Sequence, residues 1–348
     1  MTLFPCLVRS STAAGEHRYS LGDPLVYSYL AFVAGRSRPN TLRAVAHDLK
    51  TVFTVLDKAL IEVVAADVFE FLAHQRGDRK VVRITDGESG LSTRTIARRL
   101  SSLSGFYAYL VARGDTGVES NPVPRGLSTR RRGGRRQHVP LVRVPRTLPK
   151  ILSPEQVCAL LDALRTDRDR AMVLAMVLGG LRRCEVLGLR LGDIRVADRR
   201  LFIAEGKGGH QRMIPISNTF FAAVGDYLHN ERPSNAKTDR VFVTLKGPRR
   251  GEPMTADGVD KILQAARQRA GLRKATCHQL RHTCLTRLRE AGMQLEAVQA
   301  QAGHRSIEST RIYLHLTDAW LAEEYRKAAA LIDADHAAEL IKAQEIGA

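Results

Sequence analysis

The stretch CHQLRHTCLTRLREAGMQLEAVQAQAGHRSIESTRIYLHL, residues 277–316, sets the reading of the whole chain. It opens on a helical segment that crowds His278, Arg281 and His282 together. It turns at Gly292 and again at Gly303, and ends on a short run that carries one tyrosine, Tyr313. Residues three and four apart share a helix face. His278 and Arg281 can therefore address one object, and so can His278 and His282. A phosphate fits, because a guanidinium offers a planar fork of donors and an imidazole one more. Two histidines at i and i+4 can instead hold a metal, but the glutamate of an HExxH helix is missing and Arg281 stands between them. A lone tyrosine on a helix is ordinarily packing. The weight therefore falls on what precedes this stretch.

Length and charge narrow the class. The chain has 348 residues, a length that suggests two domains, and is 44% hydrophobic, enough for ordinary cores. Its formal net charge is +18. A surplus that large, unevenly placed, points to a polyanion, of which nucleic acid is the commonest. The five cysteines, Cys6, Cys158, Cys184, Cys277 and Cys284, are scattered and form no CxxC pair. That is neither a disulfide framework nor a zinc signature, so a reducing cytoplasm is expected and no metal. The longest apolar run, Ala171 to Leu181, is too short to cross a bilayer, and no secretory leader is apparent, so no membrane partner is expected.

Taken in order, residues 1–20 lack periodicity and read as a flexible N-terminus. Pro24 to Val33 has helical spacing. Thr41 reads as the N-cap of a second helix to about Lys58, and Val64 to Gln75 as a third helix. Ser92 caps a long helix to about Ala112, with Ile96, Leu100, Leu103, Phe106 and Leu110 on one stripe and Arg94, Arg98 and Arg99 on the other side. Residues 120–154 hold no Asp or Glu but carry Arg125, Arg130, Arg131, Arg132, Arg135, Arg136, Arg143, Arg146 and Lys150, with six prolines. Such a stretch reads as a basic linker suited to a phosphate backbone. Extended, about 25 residues span roughly 80 Å, enough to pass round a duplex.

Beyond the linker, Ser153-Pro154-Glu155 starts a helix, and Asp169 to Gly179 reads as a buried one. In GGLRRCEVLGLRLGDI the two glycines break the pattern and Arg182 stands where a new helix begins, a place that favours anions. Arg182 can equally pair with Glu185 one turn on. The period then changes to two. Arg200 to Ile203, the turn EGKGGH and Arg212 to Ile216 make a hairpin with Lys207 at its tip. Ser217 to Asn230 reads as a helix, Val241 to Leu245 as a short strand, and Thr255 caps a helix ending at Gly271. Ala319 to Ile346 is alanine-rich, amphipathic and helical.

Four anchors thus stand in sequence: Arg182, Lys207, His278-x-x-Arg281 and Tyr313. Here the chain resembles the tyrosine recombinase (phage integrase) family. GLRRCEVLGLRLGDI is similar to that family's first arginine box, EGKGGHQRMIPI to its hairpin lysine segment, HQLRHT to its HxxR box, and AGHRSIESTRIYLHL to its GH…Y box. The departures are small: Arg183 and Cys184 after the first arginine, Gln279 and Leu285 in the second box, and Ala302 before Gly303-His304.

The resemblance implies a mainly α protein with a small antiparallel sheet in its C-terminal part. It implies a helical, SAM-like core-binding domain over residues 21–118, a basic linker over 119–152, a catalytic domain over 153–330 and a helical tail over 331–348. By the same resemblance Tyr313 attacks a scissile phosphate and forms a 3′-phosphotyrosyl link. Arg182 and Arg281 clamp the nonbridging oxygens, with His304 supporting them. Lys207 protonates the 5′-oxygen, His278 bonds the phosphate and assists proton movement, and Glu185 orients its neighbours. No cofactor is implied. The implied partners are double-stranded DNA and further copies of the chain, four on two DNA sites, joined through the helix after Tyr313. Two other readings remain open at this point: a type IB-like topoisomerase, and a DNA-binding protein without activity. Candidate DNA contacts are Arg94, Arg98, Arg130, Arg131, Arg132, Arg135 and Arg136.

Overall fold

The computed structural model describes residues 5–11, 17–77, 90–130, 136–145, 149–204, 211–304 and 310, with backbone alone at 128–130 and 136–138. The chain divides into two compact units, Met1–Arg146 and Thr147–Ala348.

The first unit is built on four helices, α1 (Pro24–Arg36), α2 (Pro39–Leu56), α3 (Ala65–Gly77) and α4 (Thr93–Arg113). Each start has a local cause. The Asp23 carboxylate accepts from the N–H groups of Leu25 and Val26, and Pro24 sits where a helix needs no donor. The Ser92 hydroxyl accepts from the Thr95 N–H, and Gly114 closes α4 in the left-handed conformation. The apolar stripe of α4 is buried as its period predicts, with Ile96, Leu103, Phe106 and Leu110 among the core residues. It packs with Leu30, Leu49, Phe53 and Phe71 from the other helices.

Three local expectations change. Helix α2 begins at Pro39, with Arg38 as its N-cap, so Thr41 lies inside the first turn. The fixed φ of proline suits that opening position better than a hydroxyl two residues later. The N-terminal residues expected to be loose instead form a hairpin, β1 (Val8–Ser11) against β2 (His17–Ser20), which delivers Tyr19 and Leu21 into the core. Those two anchors are too few and too close to register as a period. In the basic stretch expected to lack structure, β3 (Leu127–Arg130) pairs with β4 (Arg136–Val139), and Val123 and Val142 are buried in the same core. The Asn121 side chain donates to the Ser104 carbonyl at 2.9 Å and accepts from the Val123 N–H at 3.0 Å, which fastens the segment to α4.

The second unit surrounds α6 (Asp167–Val177), whose sides are buried nearly all round. Before it lies α5 (Pro154–Asp162), opened by a reciprocal cap between Ser153 and Gln156. After it come α7 (Arg183–Gly188) and a three-stranded antiparallel sheet, β5 (Ile194–Arg195), β6 (Arg200–Ile203) and β7 (Arg212–Pro215), in the order β5-β6-β7. Then follow α8 (Asn218–Asp226), a π-helical turn (Tyr227–Glu231), α9 (Ala256–Arg269), α10 (Cys277–Glu290) and α11 (Leu295–Ala302). Val241 to Leu245 is not a strand. Only an isolated bridge, Val243 to Pro253, marks it. Phe242 and Thr244 pair with the backbone of Met254, Glu252 and Gly251, while the Val241 carbonyl and both backbone groups of Val243 are used by side chains. The Tyr227 hydroxyl donates to the Val241 carbonyl at 2.9 Å and accepts from the Val243 N–H, while Arg168 donates to the Val243 carbonyl. The mainly helical architecture with a small antiparallel sheet in the C-terminal unit is the one the resemblance implies, and the two hairpins of the first unit add to it.

Phe106 is the ring on which the first unit's core converges, edge-on to Tyr29, Phe53 and Tyr107 at centroid distances of 5.5, 5.6 and 5.2 Å. Phe106→Ala is expected to destabilise this unit by about 3–5 kcal/mol, read as a lower midpoint in denaturant unfolding.

Candidate active site

Helix α10 supplies the first group. Thr276 caps it, its hydroxyl accepting from the Gln279 N–H at 3.2 Å. Leu280, Cys284 and Leu285 turn inward and carry Arg281 with them, leaving it 2% exposed. A guanidinium so buried must find partners for its donors. Arg281 donates through Nη1 to the Gly180 carbonyl, and through Nη2 to the Ala302 carbonyl at 2.6 Å and to Nε2 of His304 at 3.2 Å. The Ala302 carbonyl ends α11, where such groups lack intrahelical partners, and the Gly180 carbonyl lies in the turn after α6. On the exposed side of α10, Nε2 of His278 and Nε2 of His282 stand 2.8 Å apart, so one donates to the other.

Helix α7 supplies the second group. The chain leaves α6 through Gly180, whose φ of +67° favours glycine, and Arg182 becomes the N-cap of α7. The Arg182 N–H donates to Glu185 Oε2 at 2.9 Å and its Nη1 to Oε1 at 2.7 Å, while Nη2 donates to the Gly303 carbonyl at 3.3 Å. Glu185 is buried, and a second arginine holds it. Arg212 of β7 grips both of its oxygens, Nη1 to Oε1 and Nη2 to Oε2, each at 3.0 Å. Arg281 Nη1 lies 3.9 Å from Oε2. Burial pushes the Glu185 carboxyl up, but Arg212, the Arg182 N–H and the Arg182 charge together outweigh it and hold the group below its ordinary value.

His304 ties these groups to the last box. A guanidinium only donates, so His304 Nε2 accepts from Arg281, which assigns the ring proton to Nδ1. That nitrogen donates to the hydroxyl of the fully buried Thr310 at 3.0 Å. Gly303 is required twice over. Its φ is +60°, and a Cβ there would come within 2.9 Å of the Arg212 guanidinium.

Of the residues singled out from sequence, the structure brings Arg182, Arg281 and His304 together. It places His278 on the same helix, close enough that both guanidiniums, after burial, push its imidazole below the ordinary range. Burial, His278 and Arg281 push His282 down to about 4. Lys207 and Tyr313 lie outside the described residues. Arg94 is exposed on α4, whereas Arg98 is exposed but donates to the buried Asp48 at 2.6 Å. Arg130 and Arg136 face each other in the register of β3 and β4, and Arg131, Arg132 and Arg135 lie outside the described residues. Sequence reasoning missed Arg212. A signal existed: Arg212 is in phase with the buried Ile214 of β7, so the strand's own alternation turns a charge inward. Among the described residues no group of three or more His, Cys, Asp or Glu is clustered to hold a metal ion, and no helix is long and apolar enough to cross a membrane.

Comparison with known proteins gives the family. Residues 150–319 match the phage integrase family and residues 27–114 match the phage integrase N-terminal SAM-like domain. Tyrosine recombinase XerC of Pelotomaculum thermopropionicum is 31% identical over 249 residues, which is 69% of this chain and 76% of that protein. A tyrosine recombinase of Thermosipho africanus is 31% identical over 295 residues, 83% of this chain and 93% of that protein. The chain belongs to the tyrosine recombinase family.

The fold of this recombinase is shared with solved members. The Tn1549 transposon integrase in complex with circular intermediate DNA superposes with a TM-score of 0.62 at 20% identity, covering 86% of this chain and 98% of that one. A lambda integrase dimer bound to a core site gives 0.60 at 18% identity, covering 83% and 93%. Family membership makes the protein an enzyme of the DNA strand-transferase class, with site-specific recombination as its activity.

Removing the recombinase's central carboxylate tests its role. Glu185→Gln leaves the Arg212, Arg182 and Arg281 charges without their shared counter-ion, and is expected to cost about 3–5 kcal/mol of stability at neutral pH. The pH dependence has a definite sign. The folded-state pKa lies below the ordinary 4.5, so the carboxylate's contribution is full above pH 4.5 and is lost as pH falls through the folded value. Denaturant unfolding from pH 7 downward should show that acid-side loss in the wild type and a smaller one in Glu185→Gln.

Proposed function

We propose that this tyrosine recombinase cuts and rejoins duplex DNA through a covalent 3′-phosphotyrosyl intermediate formed by Tyr313, in integration, transposition or dimer resolution. The observation that carries the proposal is the uncancelled charge of the site. Arg182, Arg212 and Arg281 bring three positive charges against one on Glu185, which leaves +2 by simple difference (3 − 1) in a largely buried pocket. A phosphodiester carries one negative charge and its five-coordinate transition state two. A preorganised cationic site of that size favours the transition state over the ground state.

The residue roles are those the family resemblance implies, and this charge supports the arginine part of them. Arg182 and Arg281 clamp the two nonbridging oxygens. Arg212 donates from Nε to the Gln301 carbonyl and from Nη1 and Nη2 to Glu185, so it holds the carboxylate that the clamp arginines share. His304, tied to Arg281, steadies the same oxygens. The phenol oxygen of Tyr313 attacks phosphorus, the bond from phosphorus to the 5′-oxygen breaks, and that oxygen takes a proton from Lys207. His278 receives the phenol proton. A 5′-hydroxyl from a second strand then reverses each step, and the bond energy is kept in the phosphotyrosine throughout. Chain reach supports the placement of Tyr313. Thr310 is hydrogen-bonded to His304, and three residues span at most about 11 Å. Four copies on two DNA sites, joined through the helix after Tyr313, complete the proposed assembly. The exposed arginines of α4 and of the basic stretch supply phosphate contacts that fix register without reading sequence.

The test uses a pool of nicked duplexes with a randomised core, in which the short 5′-hydroxyl fragment diffuses away after cleavage. Wild-type protein should be retained as a denaturant-stable DNA adduct from a sequenced subset of the pool, and Tyr313→Phe should form none. Adducts in both, or in neither, would end the proposal. Relaxation of any supercoiled plasmid without exchange between two selected sites would instead identify a topoisomerase.

The proton donor is checked separately. Lys207→Ala should slow adduct formation on ordinary DNA by about 100-fold or more. It should recover most of that loss on DNA with sulfur in place of the bridging 5′-oxygen, since a thiolate leaves without a proton.

A further inference from the structure

The residue after the second arginine, His282, has no part in the mechanism so far, yet its ring is the one bonded to His278. Their Nε2 atoms are 2.8 Å apart and the rings meet edge to face, with centroids 4.2 Å apart. The question is which ring gives the proton.

The other groups of the site decide it. Once Arg182 and Arg281 have engaged the phosphate, the proton leaving Tyr313 needs an acceptor. Glu185 is buried and gripped on both oxygens. His304 has its Nε2 occupied by Arg281 and its Nδ1 protonated toward Thr310. Among the described groups of the site this leaves His278, and a His278 that accepts must present a bare nitrogen. With Nε2 turned to His282, that nitrogen is Nδ1. We propose that His282 is a positioning residue that accepts the Nε2 proton of His278, and so fixes the tautomer in which Nδ1 of His278 is free to take the phenol proton of Tyr313. The proposal rests on the phosphotyrosine reading above.

The pair then works as an orienter and a base. Before attack both rings are neutral, His278 carrying its proton on Nε2 and His282 on Nδ1. On attack the phenol proton moves to His278 Nδ1, and the resulting imidazolium keeps its Nε2–H bonded to the lone pair of His282 Nε2. That second ring disperses the new charge and stops His278 from rotating away, the job a third group does for the base of other nucleophilic sites. The low basicity of His282, pushed down to about 4 by burial, His278 and Arg281, keeps its lone pair available across the neutral range. The i, i+4 spacing on a rigid helix sets the distance at no cost in loop ordering.

Two measurements on the full chain test this. The first needs no DNA. In protein labelled with ¹⁵N-histidine, two-bond correlations should show His278 protonated on Nε2 in the wild type and as a mixture of tautomers in His282→Phe. The second uses the nicked pool selected above. His282→Phe should form the Tyr313 adduct about 100-fold more slowly with unchanged DNA affinity. His282→Gln, whose amide oxygen can accept from Nε2 of His278, should recover to within about tenfold of the wild type. A merely structural role would not separate the two variants, and their unfolding midpoints provide the control. The proposal is overturned if His278 carries its proton on Nδ1, if His282→Phe cleaves as fast as the wild type, or if His282→Gln is as slow as His282→Phe. If the wild type itself forms no adduct, the phosphotyrosine reading has failed, and the tautomer measurement still decides the pair.

Discussion

The site depends on one buried carboxylate. Glu185 is the common partner of Arg182 and Arg212 and lies within 4 Å of Arg281. Taking charges out of water is costly, and opposite charges offset that cost only where the remaining donors are also satisfied. Here they are satisfied by backbone. The carbonyls of Gly180, Gln301, Ala302 and Gly303 accept from the three guanidiniums. Three boxes far apart in the chain, around Arg182, Arg212 and Arg281, therefore meet for a local electrostatic reason. None of their guanidiniums can be buried at this point without the glutamate, and the glutamate cannot be buried without them.

Helix ends make the backbone part possible. The carbonyls that finish a helix have no partner within it and carry the negative end of its dipole. Ala302 and Gly303 end α11, and Gly180 follows α6. Arg281 reaches from the C-terminal end of α11, which attracts a cation, to the Gly180 carbonyl in the turn after α6. The glycine at 303 then becomes a geometric necessity, because it turns the chain in the left-handed region while lying against Arg212. Gln301, also buried, ties the same turn to the Gly179 and Pro215 carbonyls at 3.0 and 3.2 Å. The clamp is thus preorganised by packing and needs little rearrangement as charge develops.

What the sequence made legible follows from how local each signal is. The α4 stripe, the Ser92, Ser153 and Thr255 caps and the hairpin β6-β7 are fixed by neighbours within a turn or two, and all could be read directly. Arg182 and the His278-Arg281 pair could be read because each lies in a compact motif. Arg212 could not be weighed the same way. Its meaning comes from Glu185, 27 residues away, although its phase with Ile214 hinted at an inward charge. The N-terminal hairpin and the β3-β4 pair were missed for the opposite reason. They are held by single anchors such as Tyr19, Val123 and Val142, and one buried side chain makes no period. The link between Thr310 and His304 is likewise invisible in one dimension, since a threonine six residues on has no preferred direction.

Charge counting illustrates the same limit and also what lies behind it. The net +18 treats every guanidinium alike, but the fold divides them. Arg182, Arg212 and Arg281 are withdrawn from water, and Arg98 is partly neutralised by Asp48, which also accepts from Ser102. Residues 120–154 contain no acid at all, so their positive charge has no partner of opposite sign within the stretch. These classes differ in their response to salt. Exposed charge acts over a screening length of about 8–10 Å and fades as ions are added, while a buried cluster is screened far less. A polyanion approaching this molecule would therefore be gathered by a field that salt weakens and gripped by one that salt scarcely reaches. Attraction and chemistry are assigned to different arginines, and the buried ones do their work through the single carboxylate that keeps them in place.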